Sequence, residues 1–171
     1  MRYLLSILIL TFVFACNSNK NGEIVAQIDS LNTIFDEAID GYNKVDSTTV
    51  SHIRKKVKSN CLMIKDQNDP IVTATFIPYS HIDKTMKQIL KMDARIKKES
   101  RLAKSQLENL HFDAEEGLID PKLLETYFAE EKEIVMTLID RMDYNTQQII
   151  VEFNRFDSLN PIIENYLADQ N

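Results

Sequence analysis

Between residues 121 and 156 the apolar side chains Leu124, Phe128, Val135, Leu138, Met142, Ile149, Phe153 and Phe156 recur at intervals of three and four. Glu131 and Asn145 hold the two intervening places in the same register. A run of this length with that step places one side of a long α-helix against something dry. Its start is marked by Asp120-Pro121, a capping carboxylate followed by a residue whose fixed φ suits the first helical position. Three further segments repeat the pattern. Over residues 23–42 the stripe is Ile24, Ile28, Leu31, Phe35, Ala38 and Tyr42, with Val25, Ile34 and Ile39 widening it. Over residues 47–67 it is Val50, Ile53, Val57, Cys61 and Ile64, with Asp46, Ser47 or Thr48 as the cap. Over residues 80–112 it is Ile82, Met86, Ile89, Ile96, Ala103, Leu107 and Leu110, with Asp93 and Ser100 at two places that expect apolar residues.

Four stripes of this kind are buried most simply in an all-α antiparallel four-helix bundle, coiled-coil-like, with short links between neighbours. Two helices of about 20 residues and two of about 30 to 35 correspond to roughly 30 Å and 45–50 Å. The length mismatch leaves one end of the long pair uncovered. Asn160-Pro161 repeats the cap-and-proline signal, which predicts a separate short terminal helix carrying Ile162, Ile163, Tyr166 and Leu167. Residues 71–77, rich in Val, Ile and Thr, have the composition of a strand but no partner strand elsewhere in the chain. They are expected to form an extended connector; the alternative is a helical turn from Pro70, kinked at Pro78. Three glycines in 171 residues leave little material for hairpin turns or phosphate-cradling loops.

The first 22 residues read as an address. Arg2 is followed by the apolar run of residues 4–14, too short to span a bilayer but suited to the core of a signal peptide. The run ends in Val13-Phe14-Ala15-Cys16, which resembles the lipobox of bacterial lipoproteins. That resemblance implies a signal peptide over residues 1–15, cleavage before Cys16, and lipid attachment at the Cys16 thiol and new amino group. Residues 16–22 then form the lipidated cysteine and a polar tether, and residues 23–171 the helical domain. Several acyl chains make a stable anchor where one binds only marginally. No acidic cluster and no Asp follows Cys16, which points to the outer membrane, facing the periplasm. With Cys16 acylated, Cys61 has no intramolecular disulfide partner and is expected as a small buried hydrophobe.

Charge is sorted by helix. The first and fourth segments are acidic, while the second and third carry Arg54, Lys55, Lys56, Lys58, Lys84, Lys87, Lys91, Arg95, Lys97, Lys98, Arg101 and Lys104. Complementary pairing of solvated helix faces accounts for this order, each exposed pair contributing less than about 1 kcal/mol. A chain of net charge −6 with few aromatics among its cations is a poor binder of nucleic acid.

The sequence carries no catalytic constellation. The three histidines, His52, His81 and His111, lie far apart, and no His-Glu-x-x-His, Gly-x-Ser-x-Gly or Ser-x-x-Lys motif occurs. Glu108 and His111 share a helix face as a single Glu-x-x-His unit, half of what a carboxylate-bridged metal pair in a bundle requires. Cys61 and His52 stand nine residues apart, about 13 Å along a helix, too far for an activated thiol. The expectation is therefore a non-enzymatic protein without cofactor or metal. It would be held to the membrane by its acyl chains and would act by contact with an envelope protein or a second copy. The alternative is a binder of a small ligand or metal in the bundle interior, suggested by the polar stripe positions Asp93, Ser100, Glu131 and Asn145.

Overall fold

The computed structural model of the whole chain describes residues 2–44, 46–64 and 70–170, with side chains for 21–44, 46–64 and 73–170. It is all-α, with helices α1 (Arg2–Asn43), α2 (Ser47–Met63), α3 (Pro70–Glu115) and α4 (Pro121–Asp169), and there is no strand among the described residues. Among the described residues no helix is long and apolar enough to cross a membrane.

The predicted stripes are the buried faces. Ile24, Ile28, Leu31, Phe35 and Tyr42 of α1 are buried, as are Val50, Ile53 and Val57 of α2. Ile82, Met86, Ile89, Ile96, Ser100, Ala103, Leu107 and Leu110 follow on α3, and Leu124, Phe128, Val135, Leu138, Met142, Asn145 and Ile149 on α4. The helix boundaries follow from local chemistry. Asp46 caps α2, its carboxylate accepting from the Thr48 backbone N–H at 2.8 Å and from the Thr49 hydroxyl at 2.6 Å. Gly117, at φ +64°, ends α3 in a Schellman turn: Leu118 N–H donates to Asp113 C=O at 2.9 Å and Gly117 N–H to Ala114 C=O at 3.3 Å. Asp120 then caps α4 through the Lys122 N–H at 3.0 Å, with Pro121 in the first position.

Three expectations are corrected. Residues 71–77 are helical rather than extended, because α3 begins at Pro70 and continues through Pro78. The proline removes one backbone donor, and the Ser80 hydroxyl donates to the Ile77 carbonyl at 2.9 Å just beyond it. There is no separate short terminal helix, since α4 runs unbroken through Pro161 to Asp169. Asn160 does not cap because its side-chain oxygen is taken up by tertiary hydrogen bonds described below. The second helix stops at Met63 instead of residue 67, with Ile64 extended. Residues 16–22, read as a tether, have helical backbone within α1; the side chain of Cys16 lies outside the described residues.

The chain divides into two compact units. The first comprises Met1–Asp40 and Lys98–Ile139, and the second Gly41–Lys97 and Asp140–Asn171. The first draws on α1, the later part of α3 and the earlier part of α4. Its polar contacts include the Asp36–Lys104 ion pair and an approach of His111 Nε2 to Asp29 Oδ1 at 3.0 Å. The second draws on all of α2, the earlier part of α3 and the later part of α4, around a core of Val50, Ile53, Val57, Ile64, Tyr79, Ile82, Met86, Ile89, Ile149 and Ile163.

Candidate functional site

On α3 the core stripe of the second unit is bordered, one step round the helix, by Thr85, Gln88, Met92 and Arg95, themselves spaced three, four and three. On α4 the adjoining turn presents Tyr144, Asn145 and Gln148. Together with Ile89 and Lys91 these side chains line a groove of about 420 Å³. That volume lies within the usual range for small-ligand sites. Ile89 and Met92 are apolar members of its lining, and Tyr144, also in the lining, is 62% exposed.

Asn145 joins the groove to a buried polar layer. Its side-chain amide donates to the Tyr42 hydroxyl at 2.8 Å, and both residues are buried. Burial pushes the Tyr42 hydroxyl well above the ordinary phenol range; the Asn145 hydrogen bond opposes this, and the neighbouring Asp93 carboxylate adds to it. Tyr42 therefore stays protonated and serves as a fixed donor and acceptor. The charge of Asp93 is answered by Lys97 at 3.0 Å, and Arg141 donates to the Met92 sulfur at 3.7 Å.

A second buried network fixes the other end of this unit. The Asn60 amide donates to the Tyr79 hydroxyl at 2.9 Å and to Asn160 Oδ1 at 3.2 Å, while Tyr79 itself donates to Asn160 Oδ1 at 2.6 Å. The Tyr79 ring stacks on Phe156 with centroids 6.3 Å apart. Its hydroxyl is pushed up to about 12 by burial, partly offset by the Asn60 bond. Every polar atom named here has a partner, so the network sets register and offers no reactive group. Cys61 lies half-buried nearby, its thiol pushed up by burial and by the charge of Asp83. That is the opposite of what a nucleophilic thiolate needs.

Two carboxylates are incompletely matched. Glu152, 3% exposed, accepts from Arg155 at 2.7 Å through Oε1 while Oε2 has no hydrogen-bond partner. Burial raises its carboxyl above the ordinary range, against the pull of Arg155. Glu131, in the first unit, also has one oxygen without a partner, and burial, with the adjacent Glu130, raises its carboxyl too.

Of the four polar stripe positions, Asp93 and Asn145 come together around Tyr42, whereas Ser100 and Glu131 belong to the first unit. The Glu-x-x-His unit does not act as a pair. His111 faces Asp29 and Glu115, at 3.0 and 3.6 Å, and Glu108 is exposed. Among the described residues no group of three or more His, Cys, Asp or Glu side chains could hold a metal ion. Sequence reasoning missed Gln88, Tyr144 and Gln148 as groove residues. Their signal was available as the line of polar positions next to the stripe, but such a line looks the same on any solvated helix. No known protein family, no curated protein and no solved structure matches this chain.

Proposed function

We propose that this chain is a non-enzymatic, lipid-anchored protein of the bacterial cell envelope, held at Cys16 in the outer membrane facing the periplasm and acting through protein–protein contact. The observation that carries the reading is a second apolar line on α4. Leu123, Tyr127 and Ile134, spaced four and seven, are each 42% exposed or more, beside the buried line of Leu124, Phe128 and Val135. Side chains of this size at helical spacing are what a helix presents to a partner. The contacts run α1 opposite to α3 in the first unit, and α2 and α4 both opposite to α3 in the second, which is not the order of a four-helix up-and-down bundle. Asp29 and Asp36 reach His111 and Lys104, Arg54 and Asn60 reach Asp83 and Tyr79, and Tyr79 and Met92 meet Asn160 and Arg141.

The test uses the full chain expressed in a bacterial host with a photo-crosslinking amino acid at position 127. A discrete adduct, lost on Leu123→Lys with Ile134→Lys, and acyl mass on a membrane-bound chain, lost on Cys16→Ser, are expected. A soluble chain without acyl mass overturns the anchor, and crosslinking indifferent to the lysine substitutions overturns the contact surface.

A second reading, binding of a small ligand, is favoured by the groove between α3 and α4 and by the buried Tyr42–Asn145 hydrogen bond beneath it. The same experiments leave it standing or falling by itself.

A further inference from the structure

We propose that the α2–α3 hairpin of the second unit docks on a phospholipid surface of net negative charge, with Leu62 and Ile77 entering the interface and a set of lysines meeting the phosphates. This surface belongs to the second unit and uses none of the residues of the α4 contact line in the first.

Only part of the charge on these two helices is answered within the protein. Arg54 pairs with Asp83 at 2.8 Å, Lys56 with Glu164 at 2.6 Å and Lys97 with Asp93 at 3.0 Å. Helix α2 contains no acid, and α3 as far as Lys97 contains only Asp83 and Asp93, both engaged. Lys55, Lys58, Lys84, Lys87 and Lys91 are exposed and make no ion pair among the described residues. The surplus lies together. The Arg54–Asp83 pair marks the seam between α2 and α3. Lys58 is four residues on from Arg54 and Lys87 four on from Asp83, so each continues the seam side of its helix. Lys55 and Lys84 stand one position on from the paired residues, turned further from the core, and Lys91 is two turns beyond Lys84.

The same outer lines end in exposed aliphatic side chains. On α2, Lys55, Lys58 and Leu62 are spaced three and four; on α3, Ile77, Lys84 and Lys91 are spaced seven and seven. Leu62 is 79% exposed and Ile77 55%. The Asn60–Tyr79 hydrogen bond sets the level of these antiparallel helices. Leu62 follows Asn60 by two residues and Ile77 precedes Tyr79 by two, so the pair come level with each other at the turn end of the hairpin. Large aliphatic tips among cations, with no unpaired acid on either helix in this unit, form the pattern of a surface that lies in a membrane interface. A dissolved polyanion answers the lysines alone. A bilayer answers both, with phosphates at the level of the ammonium groups and the acyl boundary beneath them, and lysine stems are long enough to lie along apolar material while their heads stay at the phosphates.

The chain has no tryptophan, so Leu62→Trp in the full chain installs a single reporter at an exposed position. It is carried in nanodiscs of phosphatidylcholine and of phosphatidylcholine with phosphatidylglycerol, with helical circular dichroism as the control for folding. Indole emission should move to the blue and be quenched by brominated lipid in the anionic discs. It should stay at the solvated position in the neutral discs, and return there in the anionic ones as salt is raised to about 0.5 M. Lys58→Gln with Lys84→Gln should lower the ratio of docked to undocked chain about thirtyfold, about fivefold for each lysine. Lys122→Gln with Lys132→Gln, in the first unit, should leave it unchanged. Equal emission in the two kinds of disc overturns the proposal, as does a blue shift indifferent to the Lys58 and Lys84 substitutions. A shift caused by polyglutamate in neutral discs, and absent in anionic discs without it, overturns it in favour of an acidic protein partner. Where the chain carries no acyl mass, vesicles of the same two compositions give the same readout, so loss of the Cys16 anchor and loss of this surface are told apart.

Discussion

The first unit buries Ile24, Ile28, Leu31, Phe35, Ala103, Leu107, Leu110, Leu124, Phe128, Val135 and Leu138, with Ser100 as its buried polar residue among those described. The second buries a comparable set of apolar side chains but adds Asn60, Thr75, Asn145 and Glu152, and the hydroxyls of Tyr42 and Tyr79. Both are built from the same long helices, since α3 and α4 each contribute one portion to either unit. An apolar seam rewards any register that keeps the stripe inside, so neighbouring helices can slip by a heptad at modest cost. Buried hydrogen bonds between side chains far apart in sequence allow one register only, because every alternative strands a polar group in a dry place. The second unit thus holds its helices by chemistry as well as by volume, and the groove occurs there.

The comparison breaks most forcefully at Phe35. This ring is fully buried in the first unit. Phe35→Ala should cost about 3–5 kcal/mol by lost transfer and residual cavity. Hydrogen exchange should show the loss concentrated in residues 24–40, 98–115 and 121–139. Equal loss of protection in α2 would show that the two units unfold as one and would remove the distinction drawn between them.

Tyr79→Phe comes next. It keeps the ring against Phe156 and removes only the hydroxyl that accepts from Asn60 and donates to Asn160. Leaving those two side chains short of partners in a buried site should cost about 1–3 kcal/mol, read by chemical denaturation. Pairing it with Asn160→Leu should depart from additivity, since the two substitutions share the Tyr79–Asn160 bond and together take both acceptors from the Asn60 amide. Strict additivity of the two substitutions would mean that no coupled network exists there.

What was legible in the sequence follows the same division. The stripes of α1 and α4 and the caps at Asp46 and Asp120 are readable because they depend on residues within a few positions of each other. Residues 71–77 and 160–161 depart from the sequence expectation because local signals are overruled at long range. Val72, Thr73 and Thr75 prefer strands, yet with nothing to pair with, continuing the helix from Pro70 satisfies more backbone groups. Asn160 has the composition of a cap, but Tyr79, 81 positions earlier, takes its oxygen. The groove was half legible: Asp93 and Asn145 stood out as polar residues in an apolar stripe, while Lys91, Arg95 and Tyr144 look like any solvated positions until α3 and α4 are set side by side.

The two partly matched glutamates sharpen the comparison further. Glu131 sits in the apolar unit with an unpartnered oxygen, so Glu131→Leu should stabilise the protein by about 1 kcal/mol, half the gain of fully burying a leucine. A loss instead would show that the carboxylate is used. Glu152, in the polar unit, retains Arg155, and removing its side chain gives up that bond as well. Its carboxyl is raised by burial, so the folded state holds the proton more tightly than the unfolded chain, whose value lies near 4.5. Its contribution is fully present below that value and is lost as pH rises through the raised one. Glu152→Gln should therefore flatten the decline in stability above pH 4.5, and an unchanged pH slope would place the source of that decline elsewhere.

The smallest effect is expected at Asp46, which bears on the second unit alone because it caps α2. Its carboxylate is lowered to about 2, chiefly by the Thr48 hydroxyl and then by Thr49 and the Thr48 backbone N–H. The sign is opposite to that of Glu152. A lowered value means that the contribution is present above the unfolded value of 3.8 and is lost as pH falls towards 2. Asp46→Asn keeps an oxygen that can accept at the cap but abolishes the titration. The variant should match the parent in α2 protection at pH 7 to within a small loss, and should lack the parent's additional weakening between pH 4 and pH 2. Because the group is solvated, salt should narrow the difference between the two at pH 7. If the acid weakening appears instead in residues 24–40, the cap is not its cause, and the acid sensitivity belongs to the unit that buries almost no polar groups.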